Sequence, residues 1–520
     1  MKTMKRYLLR VLPVMVTVAM LMVSCSKGAD EGAFIPKNAS VIFHINVASL
    51  WQKADLANAD NLQMMNSLHE AFQVISPKGD QLVEAFLKDP TSCGIDFKKP
   101  VCVFSEPFTE GPINTEYTVA SAKLQSRKDF DKFVVDLEEV MGEKFKHCDT
   151  LDMTVIELGE YELLAYNNSR LFFIENFPQM VNGILDDPSD EVLTSTQYLA
   201  KLLNLKKEES MACNKYFDKY LADSKDISYF MSYGNMLNIT ITPMNSILMK
   251  FYSEKDLKEF EEASVCIYTS FENGRIELTS KTYGIPEVLQ KFGNHKFNEE
   301  LLTYLPAQTL AALTVSADVK DLVEYIDSLG DRELNLDESL GIDDYTIRDL
   351  INALGGSMAA SFYGMQEGTP YFTAAIDLNN SDLARNLLNE LAVNNGNTYS
   401  FEIFPDVQLV LNDKVAVLST DPAVIANAQA GGKSNGLMAI ADKAKKGNYF
   451  YMDLKLANWP TELLALIGID SMPIVSSIFA MFDYIEAETI NDQDGICNIY
   501  LSSDKTNSLA YILQEVDKMI

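Results

Sequence analysis

The sequence predicts an α+β fold made of two similar halves from an internal duplication, each a largely antiparallel sheet with packed helices. Three observations predict this class: short segments of period-two apolar alternation, tight turns between many of them, and a second pass through the same series of segments. In the first pass Ile35-Pro36-Lys37-Asn38-Ala39-Ser40 leads into Val41–Val47, and in the second Leu305-Pro306-Ala307-Gln308-Thr309-Leu310 leads into Ala311–Ala317. Alternation puts Val41, Phe43, Ile45 and Val47 on one face of a strand, and Ala311, Leu313, Val315 and Ala317 on one face of its counterpart.

The later elements return in the same order. Gly94-Ile95-Asp96 is matched by Gly341-Ile342-Asp343, and Tyr117–Leu124 by Tyr371–Leu378. Each of those strands runs into an amphipathic helix. Phe130, Phe133, Val134, Leu137, Val140 and Met141 form the first apolar stripe, and Leu383, Leu387, Leu388 and Leu391 the second. Ser126 with Asp129 fits a capping box at the start of the first helix. A hairpin follows in each half: Leu163–Tyr166, turn Asn167-Asn168, Leu171–Ile174, and then Leu409–Leu411, turn Asn412-Asp413, Val415–Leu418. Asn and Asp tolerate the positive φ that such turns require. Tyr229-Phe230 matches Tyr449-Phe450, and Pro243 matches Pro473. A last strand pair, turning at Asn273-Gly274 or near Asp494-Gly495, closes each half. The seam falls near Gly293–Asn298, which gives halves 34–296 and 297–520. Tight hairpins favour antiparallel pairing, and an interface between two such halves is a favoured place for a ligand cleft.

The N-terminus reads as an address. Lys2, Lys5, Arg6 and Arg10 precede an apolar run, Val11–Val23, followed by Ser24 and Cys25. This is a secretory signal over 1–24 whose last residues form a lipobox. Cleavage between Ser24 and Cys25 would leave a lipidated Cys25 on a polar tether, residues 25–33. The alternatives are an ordinary signal followed by a chance cysteine, and an uncleaved anchor. Removing residues 1–24, which carry four basic and no acidic residues, takes the formal charge from −31 to −35. Such a charge excludes nucleic acid as a partner, because phosphates need Lys and Arg to neutralise them. It also disfavours lying flat on an anionic membrane. No later segment offers the ~18 apolar residues of a membrane span; Leu463–Ile485, broken by Asp470 and Pro473, reads as two buried helical pieces.

Motifs of chemistry are sparse. Cys93, Cys102, Cys148, Cys213, Cys266 and Cys497 contain no Cys-x-x-Cys pair, so neither a zinc ribbon nor a thioredoxin-type site is indicated. Cys102, Cys266 and Cys497 fall in apolar strands, as buried thiols do, and Cys93 with Cys102 is the one local pair suited to a disulfide. His44, His69, His147 and His295 form no His-Glu-x-x-His motif. His44 falls on the polar face of the opening strand, with a surface or hydrogen-bonded role, where the second half has Thr314. His69 lies among Met64, Met65, Leu68 and Phe72 in a helical run. No Gly-x-Ser-x-Gly elbow is present. Gly431-Gly432-Lys433-Ser434 lacks the first glycine of a phosphate loop (Asn427) and reads as a linker. Asn491-Asp492-Gln493-Asp494-Gly495 begins one residue too late for a calcium loop, because its first ligand would be Ile490; a hairpin turn explains it. Asp186–Glu191 is a solvated acidic run. Catalytic, cofactor and metal residues are therefore expected to be none. A pair of hydrolytic carboxylates among 74 acidic residues has spatial rather than sequential spacing. With only Trp51 and Trp459, aromatic platforms would fall to the 23 tyrosines, most of them at core positions. Two Met-rich apolar helices in matching places, Thr242–Phe251 and Met472–Phe482, read as core helices, with an adaptable apolar groove as the alternative.

The lipobox at Cys25, the opening Ile-Pro-x-x-Ala-Ser strand over Ile35–Val47, and two α+β halves of this length resemble an uncharacterised family of Bacteroidetes cell-envelope lipoproteins, a domain of unknown function. The resemblance covers essentially the whole mature chain. It implies a lipid-anchored envelope protein on the outer membrane and brings no activity with it. In that phylum acidic residues just after the lipidated cysteine favour export to the outer surface. Here Lys27, Gly28 and Ala29 precede Asp30-Glu31, which leaves the periplasmic and surface faces both open. The leading expectation is a non-enzymatic ligand-binding or scaffold lipoprotein, held to the membrane by lipid at Cys25 and contacting an envelope protein or an apolar or glycan ligand. The alternative is a secreted hydrolase of glycan or peptide. A glycan-capture lipoprotein paired with a transporter fits less well, since that class is mainly helical and richer in Trp.

Overall fold

The computed structural model describes residues 31–519 except 57, 59–61, 76, 111–112, 143, 160, 179–192, 234–262, 286–294, 329–334, 342–344, 433–439, 470–471 and 492. The signal segment, Ser24, Cys25, the first Met-rich helix and Asp186–Glu191 lie outside the described residues. The fold is α+β, with twenty strands among the described residues whose given registers are all antiparallel. The chain divides into two compact units, one of residues 1–241, 261–278 and 504–520, the other of 242–260 and 279–503.

Unit 1 contains β1 (Val41–Ile45), β2 (Val101–Glu110), β3 (Ile113–Lys123), β4 (Lys146–Thr150), β5 (Met153–Glu157), β6 (Glu162–Tyr166), β7 (Arg170–Pro178), β8 (Ile227–Ser232), β9 (Ser264–Glu272) and the start of β10 (Arg275–Tyr283). Their spatial order is β4-β5-β6-β7-β3-β2-β1-β8-β9-β10. Helices α1 (Val47–Lys53), α2 (Gln63–Ile75) and α3 (Pro77–Lys88) lie between β1 and β2, α4 (Arg127–Met141) between β3 and β4, and α5 (Ser195–Leu203) and α6 (Phe217–Ala222) between β7 and β8. Ser126 caps α4 by accepting the Asp129 N–H at 3.2 Å, and Gly142, at φ +64°, ends it. Phe130 and Val134 of α4 bury one sheet face with Ile45, Val101, Ala120, Ala122, Leu164 and Phe173. Phe217 and Tyr220 of α6 cover the opposite face, in ring contact with His44 and Phe230.

Unit 2 contains β11 (Ala311–Ser316), β12 (Leu354–Gln366), β13 (Thr369–Leu378), β14 (Val393–Asn395), β15 (Thr398–Ser400), β16 (Gln408–Leu411), β17 (Val415–Ser419), β18 (Tyr449–Asp453), β19 (Phe482–Thr489) and β20 (Asp494–Leu501). Their order, β14-β15-β16-β17-β13-β12-β11-β18-β19-β20, is that of β1–β10 strand for strand. Helices α7 (Val319–Ser328) and α8 (Ile347–Ala353) lie between β11 and β12, and α9 (Ser381–Leu391) follows β13. α10 (Pro422–Gln429) and α11 (Ala441–Ala444) follow β17, and α12 (Thr461–Leu466) and α13 (Pro473–Phe479) join β18 to β19. Ala312, Ala359, Ala375 and Val417 pack against Leu301, Leu302, Ile425 and Ala444 on one face. Leu409, Leu411 and Ala416 pack against Ala384 and Leu387 of α9 on the other. The last helix, α14 (Ser508–Asp517), belongs to unit 1, where the Asp517 carboxylate accepts the Gln63 and Met64 N–H groups at 2.8 and 2.6 Å and so caps α2.

Three sequence expectations change here. Alternation along β11 marks Ala311, Leu313 and Val315 as the apolar face, yet Ala312, Thr314 and Ser316 are buried while Leu313 and Val315 are exposed. The helices that follow β17 decide which face is dry, and a short strand cannot encode that. Leu463–Ile485 does form two helical pieces, but no residue of α12 is buried, so they are not core helices. The turn of the last hairpin is set by Asn491, whose Oδ1 accepts the Gln493 and Asp494 N–H groups, a few residues before the expected Asp494-Gly495.

Candidate binding surface

None of the six described cysteines is in a disulfide, the Cys93/Cys102 pair included. Cys93, Cys102 and Cys266 are buried, and burial pushes the Cys93 thiol up to about 12. Such a thiol is inert as a nucleophile. Among the described residues no group of His, Cys, Asp and Glu could hold a metal ion, and no helix is long and apolar enough to cross a membrane.

His44 is hydrogen-bonded rather than a surface residue. It is buried, with Nδ1 3.0 Å from the Tyr220 hydroxyl, whose own hydrogen goes to the Ser228 carbonyl at 2.8 Å. Tyr220 has only one hydrogen, so Nδ1–H of His44 donates to it. Nε2 is then a buried acceptor with no partner. Burial lowers the imidazole pKa to about 4 against a smaller opposing effect of Glu31; the ring is neutral and structural. Thr314, at the matching place in unit 2, is also buried; it donates to the Ala444 carbonyl and accepts the Tyr449 N–H. His69 pairs with Asp80 at 2.6 Å, holding α2 to α3.

Carboxylates stand out in three places that the sequence did not single out. Glu106 accepts from the Tyr198 hydroxyl at 2.6 Å and from Lys201 at 2.8 Å, beneath a stacked Tyr117–Tyr198 pair. Glu486 accepts from Lys443, Tyr449 and Tyr500. Both are buried anions with their partners supplied, which is a structural role. The third is unlike them: Glu162 and Glu175 face each other directly across β6 and β7. Burial, and then the Glu162 charge, push Glu175 up to about 7, and burial raises Glu162 as well.

Among the described residues the α12–α13 arm carries several exposed aliphatic side chains close together in the chain. Its base is fixed by polar contacts. Trp459 donates its indole N–H to the Asp453 carbonyl at 2.9 Å and lies against Phe362, while Asn458 donates to the Asp453 carboxylate. Pro460 precedes α12, Gly468 at φ +73° follows it, and Pro473 opens α13 with its fixed φ. Buried Met481 and the Ser502 bonds to Ala480 and Met481 fix the far end. Between these fixtures Leu466, Ile467, Met472, Ile474 and Ile478 are 75, 54, 53, 70 and 41 % exposed. Taking one such side chain wholly out of water is worth about 1.5–3 kcal/mol, so a cluster of them marks an interaction surface. The second Met-rich segment is therefore not a core helix; its partner segment in the first half lies outside the described residues. A composition-based signal existed in the run itself, but apolar character alone does not distinguish core from contact surface.

Fold and surface together define an α+β protein of two antiparallel-sheet units that carries an exposed aliphatic arm. The chain belongs to the family of a domain of unknown function, DUF4836, whose family model matches residues 32–407. The arm lies beyond the matched span. No curated protein and no solved structure gives a significant match.

Proposed function

We propose that this chain is a lipid-anchored bacterial envelope protein of the Bacteroidetes type whose role is to bind or scaffold rather than to catalyse. The exposed aliphatic arm carries the reading, because five large apolar side chains held in water on a fixed base are a contact surface. The lipobox supports the anchor at Cys25 on the outer membrane. Glu31 supports a short tether: it is buried in the fold and paired with Arg170 at 3.2 Å, so only residues 26–30 separate it from Cys25. That burial also removes Glu31 from any surface-export signal, which favours the periplasmic face. We further read the two units as the products of one duplication, supported by the identical order of ten strands and by the matched sequence segments.

Cys25→Ala is expected to abolish incorporation of an alkyne-tagged fatty acid, from full labelling to background. Labelling that persists in the variant, or is absent from the native chain, would sink the anchor. The hydrolase reading has one observation in its favour, the Glu162/Glu175 pair with a carboxyl poised near neutrality as general acids are. Glycan or peptide hydrolysis that disappears in Glu175→Gln would establish it.

A further inference from the structure

We infer that two copies of this chain pair through the edge strand β4, lying antiparallel about a two-fold axis at Cys148. The inference goes beyond the binding or scaffold role proposed above and holds whether or not Cys25 carries lipid. β4 (Lys146–Thr150) stands at the end of the strand order of unit 1, and four of its five residues are exposed. Leu151 and Asp152, at φ +55° and +57°, make the tight turn into β5. A turn of this kind closes with a hydrogen bond between its first and fourth residues. Here those are Thr150 and Met153, which the register places opposite each other. Thr150, Cys148 and Lys146 therefore turn their N–H and C=O groups towards β5, whereas His147 and Asp149 turn theirs outwards. Among the described residues these outward groups have no hydrogen-bond partner. An edge with its ladder bonds unmade is a template for another strand.

Charge selects a second copy as that strand and fixes its register. Outward groups must meet outward groups, so the two-fold axis falls at His147, Cys148 or Asp149. An axis at His147 pairs that residue with itself and leaves Asp149 without a cation. An axis at Asp149 sets two carboxylates face to face, and like charges directly opposite are destabilising. An axis at Cys148 places each His147 against the other copy's Asp149 and each Lys146 against Thr150. The basic half of one strand then meets the acidic half of the other. Contacts within one copy hold both side chains in place: Glu138 lies 2.9 Å from His147 Nε2, and the Thr154 hydroxyl donates to Asp149 Oδ1 at 2.8 Å. Nδ1 and Oδ2 remain for the other copy. The matching edge of unit 2, β14, has three uncharged residues, Val393–Asn395, and carries no such code.

The test uses the mature chain with Cys25→Ser, made without lipid, and with Cys213→Ser because that thiol is also exposed. Sedimentation velocity at rising concentration should show a monomer–dimer equilibrium, weak because the interface is small. In the pair the two Cys148 residues occupy a non-hydrogen-bonded position with Cα atoms about 4.5 Å apart, within reach of a disulfide. Mild oxidation by added copper–phenanthroline, which takes two electrons and releases two protons from the two thiols, should trap a covalent dimer. Asp149→Pro removes an outward N–H, a change that an edge strand tolerates. It should weaken the dimer at least about tenfold and suppress the crosslink. Asp149→Lys and His147→Asp should each be monomeric, while their mixture regains a dimer because the two reversed charges then face each other. Circular dichroism checks the fold of each variant. A parent chain that stays monomeric overturns the inference, as does a dimer that Asp149→Pro leaves intact. A mixture of the two charge variants that stays monomeric also overturns it. None of these outcomes bears on fatty-acid labelling at Cys25, so the two readings fail separately.

Discussion

Replacing Glu31 by Gln is expected to destabilise the native fold by about 3–5 kcal/mol, the cost of leaving a buried charge without its partner. Arg170 on β7 and Lys123 on β3 stand directly opposite each other in the ladder. Two cations at that spacing repel, and Glu31 separates them: its Oε2 lies 3.2 Å from Arg170 Nη1 and its Oε1 3.3 Å from Lys123 Nζ. Arg170 is itself buried, donates to Ser121 and lies 4.6 Å over the Phe34 ring. It cannot turn to water when Glu31 loses its charge. Lys123→Met, by contrast, removes a partly exposed cation and should change stability by no more than about 1 kcal/mol. Urea unfolding at neutral pH, read as a shift in midpoint at constant slope, separates the two. Equal effects would show that Glu31 is not the keystone of this cluster.

His44 and Glu175 should tilt the pH dependence of stability in opposite directions. His44 falls from the usual 6.5 to about 4 in the fold. Its neutral form is the folded one, so its contribution is complete above 6.5 and is lost as pH falls towards 4. The shift corresponds to roughly 3 kcal/mol. Glu175 rises from the usual 4.5 to about 7. Its protonated form is the folded one, so its contribution is complete below 4.5 and is lost as pH rises towards 7. Partial exposure of this carboxyl screens the effect, leaving about 1–2 kcal/mol. The two windows overlap, and the native chain therefore shows only their difference. His44→Leu should leave a stability that declines from pH 4.5 to 7, because Tyr220 keeps its bond to Ser228 while the titrating ring is gone. Glu175→Gln should leave one that climbs from pH 4 to 6.5 and gain stability at pH 8. Thermal midpoints across pH 4–8 measure both slopes. Parallel profiles for the two variants would contradict the assignment of either group.

Much of the fold was legible because its signals are local. The cap at Ser126, the Asn167 turn whose Oδ1 accepts the Ser169 and Arg170 N–H groups, and the stripe on α4 each depend on residues a few positions apart. The hairpins made antiparallel pairing predictable, and the repeated order of segments anticipated the common strand order of the two units. Burial was less legible. A His, a Thr and a Ser on strands read as polar faces, but α6 in unit 1 and α11 in unit 2 supply the partners that let His44 and Thr314 lie in the core. Those partners are 176 and 130 residues away. Glu31 reads as part of a tether for the same reason, because its partner Arg170 lies 139 residues away.

The sequence by itself determined the acidic balance, the α+β class and the turns, since charge, propensity and short-range hydrogen bonding act within a few residues. Only the tertiary structure decided which face of each strand is dry, which carboxylates meet, and that α12 and α13 show their aliphatic side chains to water. Those outcomes depend on what packs against each segment. An apolar run reads the same whether a neighbouring helix covers it or nothing does.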